Sequence, residues 1–184
     1  MPLAQLIDEV TTMDFNKLAV EIYGQNKAVG WWDNPDRCLY ECLQLVSTEV
    51  SEATEGERKD LFDDHIPARK MGEVELADAL IRALDLGGRC NWAYEARVQP
   101  RQVYDDWGVA RRHLHINEAV VDLARNLTAP WANRCYSALV DRIVWVAESL
   151  GYDIKGALVE KLAYNKTRAD HKRENRAKKG GKKF

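Results

Sequence analysis

Apolar residues recur along this chain at intervals of three and four, segment after segment, which is the spacing of amphipathic helices. Phe15, Leu18, Ala19 and Ile22 make the first such stripe, in a helix expected over 13 to 27 with Thr12 as its cap and Gly30 just past its end. Asp33-Asn34-Pro35 is a start signal, a capping side chain ahead of a proline suited to the first helical position. Leu39, Leu43, Val46, Val50 and Ala53 carry the pattern on to about Lys59. The charged stretch DLFDDHIPARKMG holds Pro67 and Gly72 as breakers. EVELADALIRALDLGG then reads as a third helix closed by Gly87-Gly88. Its apolar side is Val74, Ala77, Leu80, Ile81 and Leu84, and Glu75, Asp78, Arg82 and Asp85 line the other.

From Arg89 to His115 the pattern fades, and Pro100, Gly108 and several aromatics predict a loop with one short helical turn. It returns in INEAVVDLARNL, breaks at Pro130, and resumes in NRCYSALVDRIVWVAESLG, which ends at Gly151. IKGALVEKLAYNKTR makes a sixth segment. Strand-like alternation is scarce, so the expected fold is an all-α bundle of five to six helices. At 184 residues, 46% hydrophobic and 30% charged, the chain is sized for one domain spanning 1 to 184. SALVDRIVWVAESLG also lies over VELADALIRALDLGG with Asp141 on Asp78 and Ala138 on Glu75. A degenerate duplication would leave chemistry in the first half and scaffold in the second, with no metal-binding acids over 116 to 150.

Composition narrows the function classes. No apolar run reaches membrane-spanning length, and the N-terminal MPLAQLIDEVTTMDF carries acids where a signal peptide carries basic and apolar blocks. A soluble, cytoplasmic protein with no membrane partner is expected. Cys38, Cys42, Cys90 and Cys135 form no CxxC pair, and His113-x-His115 lacks cysteines at zinc-finger spacing, so reduced thiols and no zinc are expected. The net charge of −2 is unevenly spread, because from Lys166 onward nine Lys or Arg face only Asp170 and Glu174. An acidic body repels nucleic acid, while a basic tail over about 166 to 184, ending KKGGKKF, suits polyphosphate, nucleic acid or the acidic face of another subunit. A solvated chain end is the plainer account of its last residues.

Candidate chemistry lies in two acidic pairs, Glu49-x-x-Glu52 and Glu75-x-x-Asp78. A spacing of three puts both carboxylates on one helix face, so two such helices packed together aim four oxygen ligands at one place. Charged stripes are usually solvent faces, but Glu49 and Glu52 have no basic partner at the next turn of their own helix. Like charges left close together are costly unless a cation neutralises them. Lys161, Asn165 and Arg168, at helical spacing, add donors that suit a metal-bound polyphosphate, and magnesium is commonly held by carboxylates together with substrate phosphates.

GWWDNPDR, STEVSEATEGERK, VELADALIRALDL and EKLAYNKTR, in that order, resemble the MazG-like all-α nucleoside triphosphate pyrophosphohydrolases, above all short phage-borne members such as those called MazZ. The resemblance covers about 12 to 90 and 140 to 183, and the segment between, about 89 to 140, looks like an insertion. In the family motif a Glu doublet precedes a further Glu and a distal Glu-x-x-Asp. Glu49 matches the second member of the doublet and Glu52 the following Glu, while Thr48 stands where the first is usual. The resemblance implies Mg²⁺, with Mn²⁺ able to substitute, held by Glu49, Glu52, Glu75 and Asp78, with Glu49 or Glu52 also directing the attacking water. It implies cleavage of the α-β phosphoanhydride of a (d)NTP to the monophosphate and pyrophosphate, with Lys161, Asn165 and Arg168 on the phosphates.

General likeness to the phage enzymes favours a purine substrate such as dGTP, in the host cytoplasm if the gene is phage-borne. Asn26, Lys27, Trp31 and Trp32 are candidates for the base or sugar, with core filling the plainer role for paired tryptophans. Arg82 contacts phosphate or, preferably, pairs with Asp78 or Asp85. Family members form homodimers or homotetramers. The competing readings are a dUTPase or broad house-cleaning pyrophosphatase, and a non-catalytic nucleic-acid-binding bundle.

Overall fold

The computed structural model describes residues 13–97, 104 and 106–168. Six helices follow one another: α1 (Phe15–Ala28), α2 (Leu39–Lys59), α3 (Met71–Cys90), α4 (Val109–Arg125), α5 (Ala132–Ser149) and α6 (Ile154–Asn165). Among the described residues the only β-type pairing is an isolated bridge between Phe62 and Lys70 in the α2–α3 connection. No described helix is long and apolar enough to cross a membrane. Thr12, Pro100 and the tail beyond Arg168 lie outside the described residues.

One apolar cluster draws on all six helices, from Phe15 and Ile22 in α1 to Ala157 and Leu162 in α6. At its centre is α3, which packs against α1, α2, α5 and α6. From Gly72 to Gly87 every residue of α3 except Arg82 is buried, so its polar stripe is walled in by neighbours rather than bathed in water. A stripe of acids in that position needs partners or a counter-ion, since an isolated buried carboxylate is strongly disfavoured.

Four boundaries differ from the sequence reading, each for a local reason. The α1 cap is Asp14, whose carboxylate accepts from the Lys17 amide at 3.0 Å. Asp33-Asn34-Pro35 does not open α2, because the Asn34 side chain accepts from the Asp36 amide at 3.0 Å and closes a separate turn. α2 therefore begins at Leu39 with Cys38 as an N-cap that makes no side-chain bond. Nor do Gly87 and Gly88 end α3, which runs on to Cys90 and stops at Asn91 in the left-handed region, φ 54°. These glycines serve packing instead: a Cβ at Gly87 would overlap the Tyr136 ring of α5, and one at Gly88 the Ala19 carbonyl of α1. α4 starts at Val109, two turns earlier than its apolar pattern, which His113 and His115 obscure.

The 89–140 segment is built into the bundle by polar clamps. Arg112 donates to the carbonyls of Tyr104 (2.8 Å), Trp107 (2.8 Å) and Ser149 (2.5 Å), joining the start of α4 to the end of α5. His113, buried in α4, shares a 2.8 Å hydrogen bond with Thr54 of α2. At the other end Arg69 bonds Glu73 at 2.7 Å, Asp153 at 3.2 Å and Glu160 at 2.8 Å, fastening the first turn of α3 to α6.

Candidate metal and nucleotide site

α2 and α3 lie side by side, and their acidic faces meet. Glu49 and Glu52, one turn apart on α2, and Glu75 on α3 each offer a carboxylate oxygen within 4.8 Å of the others. Glu49 and Glu75 are buried and Glu52 is exposed, so the cluster opens to solvent on one side only. Burial pushes Glu75 up from 4.5 to about 8, against the pull of Lys161 and with added repulsion from Asp78, Glu49 and Glu52. Glu49 is raised too, by burial first, with the Arg82 guanidinium partly offsetting it. Three carboxyl groups so placed could hold a multivalent cation, and an all-oxygen donor set is the kind that hard ions such as Mg²⁺ and Mn²⁺ take.

The fourth acid takes a different partner. Asp78 sits one turn beyond Glu75 but stands outside the three-carboxylate group, its Oδ2 held 3.0 Å from the Lys161 ammonium. Lys161 is 3% exposed in the middle of the apolar face of α6, a position that only a carboxylate pair makes tolerable. Its ammonium is held above the usual lysine range by Asp78 and Glu75 despite burial. The Asn165 amide approaches the Asp78 Oδ1 at 3.5 Å. Arg82 is an ion-pair residue, but its partner is Glu49 on α2, at 2.8 Å, in place of Asp78 or Asp85 on its own helix. A guanidinium seven residues past Glu75 reaches across the α2–α3 groove because both helices put their polar faces there.

Beyond Asp78 the groove deepens into a cavity of about 320 Å³ between α1, the turn after it, α3 and the end of α6. Asn26, Trp31, Asp78, Asn165 and Arg168 all line it. Two residues proposed for the base do not. Lys27 is exposed on α1 with its ammonium over the Tyr23 ring, 5.9 Å from the centroid. Trp32 is buried in the core, edge-on to Tyr23, with the Arg37 guanidinium over its ring at 4.5 Å. Its indole N–H donates to both oxygens of Asp85, at 3.0 and 3.2 Å.

Asp85 and Arg37 are cavity residues that the sequence reading did not single out for function. Asp85 continues the 75, 78, 82 progression of α3 by one more step of three, and that continuation was the available signal. Arg37, in the turn that was read as helix, had none.

None of the described cysteines and histidines lines the cavity or joins the carboxylate group. All four cysteines are free thiols, with Cys42 buried and Cys38 exposed. His115 pairs with Glu118 at 2.9 Å. Asp141, aligned with Asp78, is buried in α5 and accepts the Tyr94 hydroxyl at 2.7 Å. Among the described residues, no group of three ligating side chains occurs within 116 to 150. No protein-family model, curated protein or solved structure matches the chain.

Proposed function

We propose that the chain is a divalent-cation-dependent nucleoside triphosphate pyrophosphohydrolase of the MazG-like kind, acting on a purine (d)NTP such as dGTP. The observation that carries the reading is the convergence of Glu49, Glu52 and Glu75 one helical turn from a nucleotide-sized cavity lined by Asn165 and Arg168. Glu49, Glu52 and Glu75 hold the cation, with Asp78 beside them as a fourth carboxylate. Bound Mg²⁺ neutralises charge on the phosphate oxygens and lowers the barrier to attack on the α-phosphorus.

The protein's own groups divide the remaining work. Glu49 is tied to Arg82, whereas Glu52 is exposed and makes no ion pair among the described residues, so Glu52 takes the proton of the attacking water. The water oxygen bonds to the α-phosphorus as the bond from that phosphorus to the bridging oxygen breaks, and pyrophosphate leaves with the bridging oxygen. Arg168 and Asn165 orient the β and γ phosphates, and Lys161 holds Asp78 in place. Trp31 offers a ring face in the cavity wall for the base.

The test is a Mg²⁺-dependent assay over a dNTP panel with products identified. Monophosphate plus pyrophosphate is the expected outcome, and orthophosphate release would reject the mechanism. Glu52→Gln should lower turnover by at least about a hundredfold while helix content is unchanged.

A further inference from the structure

Asp85 is an unusual group to find in a cavity wall. Its carboxyl is only 9% exposed, and the one N–H of Trp32 is shared between its two oxygens at 3.0 and 3.2 Å. The Asn26 side chain bonds the same carboxylate, and since a carboxylate has about four acceptor sites and no donor, these partners orient the group and still leave acceptor sites on it for whatever fills the cavity. Burial lifts it from 3.8 to about 6, which still leaves it mostly ionised at neutral pH. Arg37 lines the same cavity, and its Nε is buried with no hydrogen-bond partner. The wall therefore offers a two-oxygen acceptor with the positive charge of Arg37 near it.

The acceptor lies at the right place for a nucleobase edge. Asp85 is seven residues beyond Asp78, about 10 Å farther along the axis of α3, so the carboxylates of the metal cluster and this one mark opposite ends of the groove. That separation matches a nucleotide laid with its phosphates at Asp78 and Arg168 and its base at Trp31 and Asn26, which both line the cavity.

We infer that Asp85 reads the base and selects guanine, an inference that rests on the nucleotide site proposed above. Guanine is the one common base whose pairing edge presents two adjacent donors, N1–H and the 2-amino group, and these match the two oxygens of a carboxylate. Adenine and cytosine set a ring-nitrogen lone pair beside their amino donor, and uracil and thymine set carbonyls on both sides of a single N–H. Each of these brings a lone pair against the Asp85 charge, and an unmatched buried polar contact is what makes such sites selective. Trp32 is a positioning residue: it holds the carboxylate and does not line the cavity.

Equilibrium binding of dGMP, dIMP and dAMP to the full chain by calorimetry with Mg²⁺ present tests this without needing turnover. dIMP keeps N1–H and lacks the 2-amino group, so dGMP should bind on the order of tenfold tighter than dIMP, and tighter still than dAMP. Asp85→Asn, equal in size, should abolish the dGMP-over-dIMP preference and improve dAMP, because an amide offers the acceptor and donor that adenine needs. Equal affinities in the wild type would overturn the inference whether or not the variant folds, and so would a variant that keeps the wild-type ranking. Pyrophosphate release from every dNTP without guanine preference would also overturn it while the hydrolase reading stands. Guanine-selective binding with no pyrophosphate release would reject the hydrolase and leave Asp85 in its role.

Discussion

Glu75→Gln should stabilise the cation-free protein at alkaline pH and change it little in acid. The Glu75 carboxyl is lifted from 4.5 to about 8, so the folded chain keeps a proton that the unfolded chain gives up. Below 4.5 both states are protonated and the site adds no penalty; stability is then lost as pH rises through that window, and the loss is complete above about 8. At about 1.4 kcal/mol per tenfold, the full span corresponds to roughly 5 kcal/mol, and about 3 to 5 is expected once relaxation at the solvent-open side is allowed for. Glutamine keeps the shape and never ionises, so the variant escapes this penalty. Urea unfolding followed by circular dichroism in EDTA should give a variant advantage under about 1 kcal/mol near pH 5 and about 3 to 5 near pH 9. Added Mg²⁺ should narrow the gap by stabilising only the wild type. The same difference at both pH values, or a less stable variant near pH 9, would refute the reasoning.

Lys161→Met should destabilise the cation-free protein by about 2 to 4 kcal/mol, because the buried Asp78 carboxylate loses its ammonium, and Mg²⁺ should restore part of the loss; chemical denaturation with and without the ion measures both. Gly87→Ala should cost about 2 to 3 kcal/mol and lower Tm, since its methyl group must displace the fully buried Tyr136 ring. Cys38→Ala should leave Tm within about 1 °C, the thiol being exposed and making no capping bond.

What the sequence carried was periodic. The stripes of α1, α2, α3, α5 and α6 place their helices, and spacings of three bring Glu49, Glu52 and Glu75 to one groove. What it did not carry were relations between helices. Gly87-Gly88 has the composition of a terminator and acts as a packing notch, a difference decided by Tyr136 and Ala19 from distant segments. Arg82 has acids on its own helix and pairs with Glu49 across the groove. Trp31 and Trp32 are adjacent and look equivalent, yet the backbone turns one toward the cavity and sinks the other into the core. Asp78, expected as a ligand like its neighbours, is drawn to Lys161, whose helical spacing with Asn165 and Arg168 marks it for phosphate and says nothing of a carboxylate on another helix.

The Arg69 guanidinium grips Glu73 at the start of α3 and both Asp153 and Glu160 on α6. The two helices are pinned there and again at the Asp78–Lys161 pair, like rods held along one part of their length and joined by no further ion pair beyond it among the described residues. Glu75 lies within the held part, while Asp85 and Arg168 lie beyond it. On the proposed function, the carboxylates thus sit on the held part of the groove and the base cavity beyond it, where entry and release of a nucleotide would need the helices to part.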